Sequence, residues 1–392
     1  MDFSFTEAQS MLQATVRRFV TEELIPLEVE ALKKHGPINR LEKIGKENYA
    51  RLEDKGKDIG LWALWVPEEY GGAGLGLLEF LIVTEELSRT FLRFDFGGDV
   101  PGMLFDAGSK SLIDNYVLPC IKGEKKWYPP TFAQTEPNAG SDAAAIETTA
   151  TKQGDYWVLN GVKSFITDAD ISDFALVTAV TEKGKGTHGV SLFIVDKETQ
   201  DCSGYKVTRL IECMSGAMYP CELVLDNCKV PLANIVGKEG EGFILAQKYL
   251  EVRGRLHHAA WDLGMSQRSM ELAANYAKQR VTFGEPLASR QAIQWMLADS
   301  ALEIHAARWM SYHCAWKATQ GDKVRQETAM VKIFCDEMVN KVVDRAIQIH
   351  GALGTTNELP LETFSRVARI LRIGGGSMEM MRMLVARNVL RG

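Results

Sequence analysis

The chain opens on an apolar stripe of helical period. Leu12, Val16, Phe19, Val20 and Leu24 fall at i, i+4, i+7, i+8 and i+12. Thr6-Glu7-Ala8-Gln9 ahead of it reads as a capping box, in which the Thr6 hydroxyl takes the Gln9 N–H and the Gln9 side chain reaches back. Pro26 is expected to end or bend this helix. Residues 31–60 are polar and Lys-rich, consistent with exposed helix. The apolar run Leu61 to Pro67 then breaks into Glu68-Glu69-Tyr70-Gly71-Gly72-Ala73-Gly74-Leu75-Gly76, a tight turn into a helix starting near Leu77. These glycines do not form a dinucleotide fingerprint, because the fifth position after Gly72 is Leu77 and after Gly74 is Glu79.

The period changes between 129 and 238. Tyr156-Trp157-Val158-Leu159 and Val162 to Thr167 flank Asn160-Gly161, which predicts a type I′ hairpin. Val190 to Val195, Tyr205 to Ile211 and Cys221 to Leu225 are further short β-branched runs. Strands at this spacing predict a small antiparallel barrel or sandwich, and no βαβ alternation supports a Rossmann sheet. From 239 onward the pattern is helical again. Met330, Phe334, Met338 and Val342 recur every fourth residue, 243–280 and 288–320 have similar character, and Gly321-Asp322 is a short connector of the kind found in antiparallel bundles. The expected fold is therefore mainly α with a central β domain. It comprises an N-terminal helical domain over 1–128, an antiparallel β-barrel over 129–238 and a C-terminal four-helix bundle over 239–392.

Composition narrows the function. The apolar fraction of 46% and charged fraction of 24% are those of an ordinary globular chain. A net charge of −6 argues against a nucleic-acid partner. No run of about 18 apolar residues is present to span a membrane, and the start has neither signal-peptide nor transit character. The seven cysteines are odd in number and scattered, with no C-x-x-C pair. Reduced thiols in a cytoplasm are expected rather than disulfides or zinc. No G-x-S-x-G elbow, H-E-x-x-H, P-loop or EF-hand occurs. His257 and His258, adjacent on a helix, point about 100° apart and cannot chelate one ion, so solvated or core-edge histidines are expected.

Seven segments in order resemble the flavin-dependent acyl-CoA dehydrogenases, over essentially the whole chain. They are Val66 to Gly72, Ala133-Gln134-Thr135-Glu136-Pro137-Asn138-Ala139-Gly140-Ser141-Asp142, and Asn160-Gly161 with Phe165-Ile166-Thr167. Next come Val230-Pro231 through Asn234, Gly237 and Gly242-Phe243, then Gln279-Arg280-Val281-Thr282-Phe283-Gly284, and Gln348-Ile349-His350-Gly351. The resemblance implies FAD, with Phe132, Gln134, Thr135, Phe165 and Thr167 around the isoalloxazine and Ser141 also among the cofactor-binding residues. It places Arg280, Thr282, Phe283, Gln291, Gln348 and Gly351 on the pyrophosphate and adenine side, with Ser377 and Glu379 nearby. An Arg280 guanidinium suits a phosphate, although a helix-terminal cation is its plain structural role. Ser141 and Arg255 match contacts to a CoA thioester; a solvated helix-face residue is the other account of Arg255. A homotetramer and an electron-transferring flavoprotein as acceptor are also implied.

The chain departs from that pattern where the chemistry sits. The family's usual catalytic glutamate, in a loop before the last helix, corresponds to Gly375 within Ile373-Gly374-Gly375-Gly376-Ser377. The position used by a minority of the family corresponds to Gly254. Either the base has moved, or the reaction differs, or catalysis is lost. For a moved base the candidates are Asp95, set among Phe91, Phe94 and Phe96, and Asp99, where burial would raise a carboxyl toward a useful pKa; an aspartate capping the turn at Gly97-Gly98 is the plain alternative. Such a base resembles that of cyclohexene-carboxyl-CoA dehydrogenases, which implies 1,4-elimination from an alicyclic CoA ester. Crotonobetainyl-CoA reductase-like proteins, and a non-catalytic FAD- or CoA-binding protein, are the alternatives.

Overall fold

The computed structural model describes residues 4–34, 41–97, 100–126, 131–197, 203–214 and 219–391. The chain divides into two compact units that do not follow the three blocks of the sequence. One holds Met1–Leu52, Leu75–Phe94 and Glu251–Gly392, the other Glu53–Gly74 and Asp95–Leu250.

The first unit is helical. The Thr6/Gln9 capping box forms in both directions, and Val16, Phe19, Val20 and Leu24 of the predicted stripe are buried. Pro26 does not stop the helix as expected. The chain runs from Glu7–Phe19 through a π turn at Val20–Leu24 into Ile25–Leu32, and Pro26 falls in that segment's first turn, where a missing N–H costs little. Three long helices, Arg255–Gln279, Gln291–Thr319 and Arg325–His350, pack on one another, and Leu77–Leu87 packs against the first two. Leu256, Ala259, Leu263, Ile304, Val331 and Met338 interdigitate between them. The Leu361–Leu371 and Met378–Arg391 helices lie against Arg325–His350, joined by the Gly374–Gly376 turn.

The second unit is built on strands β1 (Phe132–Ala133), β2 (Thr149–Gln153), β3 (Tyr156–Ile166), β4 (Phe174–Val180), β5 (Val190–Asp196), β6 (Tyr205–Leu210), β7 (Cys221–Pro231) and β8 (Ile235–Val236). They hydrogen-bond in the order β6-β7-β3-β2-β4-β5-β8, with β1 on β4. That path is open where a closed antiparallel barrel was expected, and β1–β4 and β2–β4 pair parallel. Alternate residues of β4 and β5 serve two cores: Phe174, Leu176, Leu192 and Ile194 pack with Leu104, Tyr116 and Val117, while Ala175, Val177, Phe193 and Val195 pack with Trp157 and Leu223.

The predicted hairpin at Asn160-Gly161 is absent. Those residues lie inside β3, at a register shift against β7. Gly161 is needed for close approach, since a Cβ there would stand 2.3 Å from Thr148 Oγ1, and the Asn160 side chain accepts the Asn227 N–H at 2.8 Å. An Asn-Gly pair thus builds a bulge instead of a turn. The turn joining β2 to β3 is Gly154-Asp155, between the paired Gln153 and Tyr156. No helix among the described residues is long and apolar enough to cross a membrane.

Candidate active site

In the sheet unit, β1 sets Phe132 opposite Leu176, and the chain continues through Gln134 and Thr135. The Ser164 N–H donates to the Thr135 carbonyl at 2.9 Å, which brings Thr135 beside the end of β3, where Phe165 and Thr167 follow. Phe165 is 61% exposed and holds φ +59°, a backbone state that a bulky residue keeps only when its surroundings enforce it. Gln134 is buried, and its side-chain oxygen finds no partner. A cradle with an unpaired buried acceptor and a strained aromatic at its edge fits a polar, planar ligand such as a flavin ring. Ser141 lies on the exposed loop beyond the Glu136–Ala139 bridge.

The clamp beneath this cradle was not anticipated, although both partners sit in the quoted segments. Lys163 of β3, fully buried, donates to the Glu136 carboxylate at 2.7 Å and to the Gln134 carbonyl at 3.2 Å. Glu136 also accepts the N–H groups of Glu147 at 2.6 Å and Thr148 at 3.1 Å. Burial pulls the Lys163 pKa down to about 8, against the opposing pull of Glu136. Glu136 itself lies below the usual carboxylate range: burial would raise it, and the Lys163 charge and its hydrogen bonds outweigh that.

Asp95 is half-buried, and its Oδ1 accepts the Gly97 N–H at 2.8 Å, the turn-capping role. Phe94 stacks on Phe19 at 5.4 Å and meets Tyr49 edge-on, while Phe96 packs on Gly56. Asp99 lies outside the described residues.

In the helical unit the predicted residues fall at two ends of the long helices. Arg280 follows the Arg255–Gln279 helix, and Thr282 and Phe283 form the short hairpin after it, with Phe283 99% exposed at its tip. Gln291 opens the next helix; Gln348 and Gly351 close the third. All but Thr282 are exposed. At the other end stand Arg255, Ser377 and Glu379, the last two at the start of Met378–Arg391. Glu379 is exposed, and its pKa is lowered by backbone and Ser377 hydrogen bonds.

Arg255 corrects the solvated-face account. It is buried, its Nε finds no acceptor, and its Nη1 reaches only Thr328 Oγ1, at 3.4 Å. Burial lowers its pKa although Glu251 opposes this. A buried guanidinium with donors to spare suits an anionic or carbonyl ligand. It follows directly on a π turn, Leu250–Gly254, of the kind that often marks functional sites.

Beside it lies a second unanticipated cluster. His258 and Asp262 on one helix face Lys332 and Asp336 on another, each pair at i, i+4 spacing. Lys332 and Asp336 form a fully buried 2.7 Å ion pair. Lys332 also donates to the Leu371 carbonyl at 2.8 Å and contacts His258 Nδ1 at 3.3 Å. Burial, then Asp336, pushes the Asp262 carboxyl well above its ordinary range. His257 and His258 are half-buried and neutral: burial brings His257 down to about 3, and burial with the Lys332 charge holds His258 well below its usual value.

Models of the acyl-CoA dehydrogenase N-terminal, middle and C-terminal domains match residues 6–124, 131–228 and 240–390. The chain is 36% identical to (R)-benzylsuccinyl-CoA dehydrogenase of Thauera aromatica, covering 100% of this chain and 97% of the relative. It is 35% identical to a 3-(aryl)acrylate reductase of Clostridium sporogenes, covering 99% and 100%. A structure solved in work on the electron transferring flavoprotein of Acidaminococcus fermentans superposes with a TM-score of 0.87 at 33% identity, covering both chains in full. The chain belongs to the acyl-CoA dehydrogenase family, FAD-dependent oxidoreductases that act on CH–CH bonds of CoA thioesters.

Proposed function

We propose that this protein moves two hydrogens to or from the Cα–Cβ bond of a CoA thioester whose acyl group carries a ring, aryl or alicyclic. The observation that carries the reading is the pair of glycines, Gly375 and Gly254, at the two places where the family holds its base. Neither position therefore sets a glutamate carboxylate against the acyl group, which marks a departure from the family's usual substrates. The names of two relatives, a benzylsuccinyl-CoA dehydrogenase and an arylacrylate reductase, point the same way.

FAD, when bound, supplies the two-electron acceptor or donor for the hydride. Phe132, Gln134, Thr135, Phe165 and Thr167 are the residues assigned to its ring, with Ser141 also among the cofactor-binding residues. Arg280, Thr282, Phe283, Gln291, Gln348 and Gly351 are assigned to its phosphate and adenine end, with Ser377 and Glu379 nearby. Arg255 and Ser141 are assigned to the thioester and CoA. There Arg255, starved of acceptors, polarises or anchors an oxygen. An electron-transferring flavoprotein is the proposed electron partner.

We assign a homotetramer. Arg255 and Arg280 stand at opposite ends of a helix about 37 Å long, which suits a cofactor site completed by a second copy. The Gln291–Thr319 helix also exposes Trp295, Leu302, Trp309 and Trp316, seven residues apart, an apolar seam of the kind that packs against another chain.

A second reading keeps Asp95, with Asp99, as the base for 1,4-elimination from an alicyclic ring. It is favoured by a half-buried carboxylate held in place by the Gly97 N–H and close enough to Glu53 to help raise that group's pKa. Anaerobic mixing with ring-bearing and straight-chain CoA thioesters, followed at the flavin band, tests the function; Asp95→Asn tests the second reading.

A further inference from the structure

We propose that His258 carries the α-proton of the acyl thioester, in the place that the family gives to glutamate. The inference rests on the function proposed above.

Both glutamate positions lead to this ring. Gly254 lies one helical turn before His258, and i, i+4 residues share a face. A Cβ at Gly375 would stand 3.0 Å from His258 Cε1 and 3.4 Å from Nδ1. Gly375 holds φ +66°, so a side chain there would be strained as well as crowded by the imidazole. The ring therefore stands where a glutamate at 375 would begin.

The hydrogen-bond pattern assigns the ring hydrogen to one nitrogen. An ammonium has three hydrogens, and Lys332 has three acceptors: Asp336 Oδ2, the Leu371 carbonyl and His258 Nδ1. Nδ1 is thus the acceptor, and Nε2 carries the hydrogen. Behind Lys332, burial raises the carboxyl pKa values of both Asp262 and Asp336. A buried lysine and two buried carboxyls are expensive in a helix interface that Leu and Ala would fill, and no flavin or CoA contact assigned above uses them.

The proton balance closes without an outside reagent. In the reducing direction the His258 Nε2–H bond breaks and its proton goes to Cα, where the enolate electron pair forms the new C–H bond. Nδ1 takes a proton from Lys332, whose N–H bond breaks, and the imidazole is neutral before and after. The oxidising direction is the reverse and starts after the cluster has released one proton to solvent, leaving the hydrogen on Nδ1, none on Nε2 and Lys332 neutral: Nε2 then accepts the α-proton while the Nδ1 hydrogen passes to Lys332. The hydride at Cβ is exchanged with the cofactor as already stated.

Phenylacetyl-CoA isolates this step, because its α-carbon bears exchangeable hydrogens and the next carbon bears none that could leave as hydride. FAD-loaded wild type and His258→Gln are each incubated with it in deuterium oxide, and α-deuteration is read by mass spectrometry. Flavin content, the thermal midpoint and the flavin spectral shift on binding are checked in parallel; His258→Asn replaces the Gln variant if it folds poorly. Exchange by wild type that falls at least about a hundredfold in His258→Gln, with flavin content and ester binding kept, is the expected result. Wild-type exchange in His258→Gln, or wild type that binds the ester without exchanging it, overturns the role of His258. A flavin that responds to no thioester overturns the proposed function itself.

Discussion

The Lys163 ammonium lies 2.7 Å from the Glu136 carboxylate, with both groups out of water, and so fastens β3 to the turn that leads toward Ser141. Glu136 reaches across to the N–H groups of Glu147 and Thr148, and Lys163 to the Gln134 carbonyl. One ion pair therefore sets the spacing of four chain segments around Thr135 and Phe165.

Glu136→Gln removes the charge that compensates Lys163 and leaves the shape nearly unchanged. Losing one partner of a buried pair costs about 3–5 kcal/mol. The expected outcome is a clear drop in thermal midpoint and a lower ratio of bound flavin to protein after gel filtration. A midpoint and flavin ratio equal to wild type would show that the pair does not hold the cradle.

Lys332 reaches the chemistry only through His258, and a pH profile separates that from a packing role. The titratable groups facing His258 are Lys332 from the neighbouring helix and His257 from its own, with Asp336 and Asp262 behind Lys332. Burial first and the Lys332 charge second depress the His258 pKa, so Lys332→Met raises it while burial keeps it below the ordinary value. A protonated imidazole cannot accept a proton. α-Deuteration of phenylacetyl-CoA by the variant should thus level off once the imidazole is neutral, whereas in the wild type, whose cluster must first shed a proton, it should keep rising with pH over the same range. Parallel profiles in the two proteins would count against the coupling.

Glu28 is buried beneath Thr90 and the Phe91 N–H, and burial lifts its pKa from 4.5 to about 7 despite Arg268 and those hydrogen bonds. A carboxyl that holds its proton more tightly when folded contributes stability below the unfolded pKa of 4.5. That contribution is lost as pH rises through 7, and amounts to roughly 3 kcal/mol. Glu28→Gln should therefore raise the thermal midpoint at pH 8 and have little effect at pH 4.5, as scanning calorimetry at the two pH values would reveal.

Leu302 is 69% exposed in the seam of the Gln291–Thr319 helix, so a charge there should not disturb the fold of one chain. Leu302→Glu is expected to give a smaller species by light scattering, with flavin lost in step with dissociation. An unchanged mass would place the subunit interface elsewhere.

Much of the fold was legible because local signals and burial agree. The Thr6/Gln9 box, the Val16-Phe19-Val20-Leu24 stripe and the turn before Leu77 formed as the pattern predicts. Asn160-Gly161 misled because the close approach of Gly161 to Thr148 comes from a neighbouring segment that no local window contains. The open strand path depends on which strands meet at long range, which spacing along the chain does not encode. At the site, glycines in place of glutamate were visible at once. The replacement was not, because His258 and Lys332 are 74 residues apart and each alone looks like an ordinary helix residue. Only the repeated i, i+4 spacing of His258/Asp262 and Lys332/Asp336 carried a trace of it.

The most direct test of the account is anaerobic mixing of the FAD-loaded protein with two sets of CoA thioesters while the flavin band is recorded. One set bears straight saturated chains, the other phenylpropionyl, cyclohexane-carboxyl and cyclohexene-carboxyl groups. The account predicts bleaching by ring-bearing esters and little response to straight chains. Equal or faster bleaching by straight chains would contradict it.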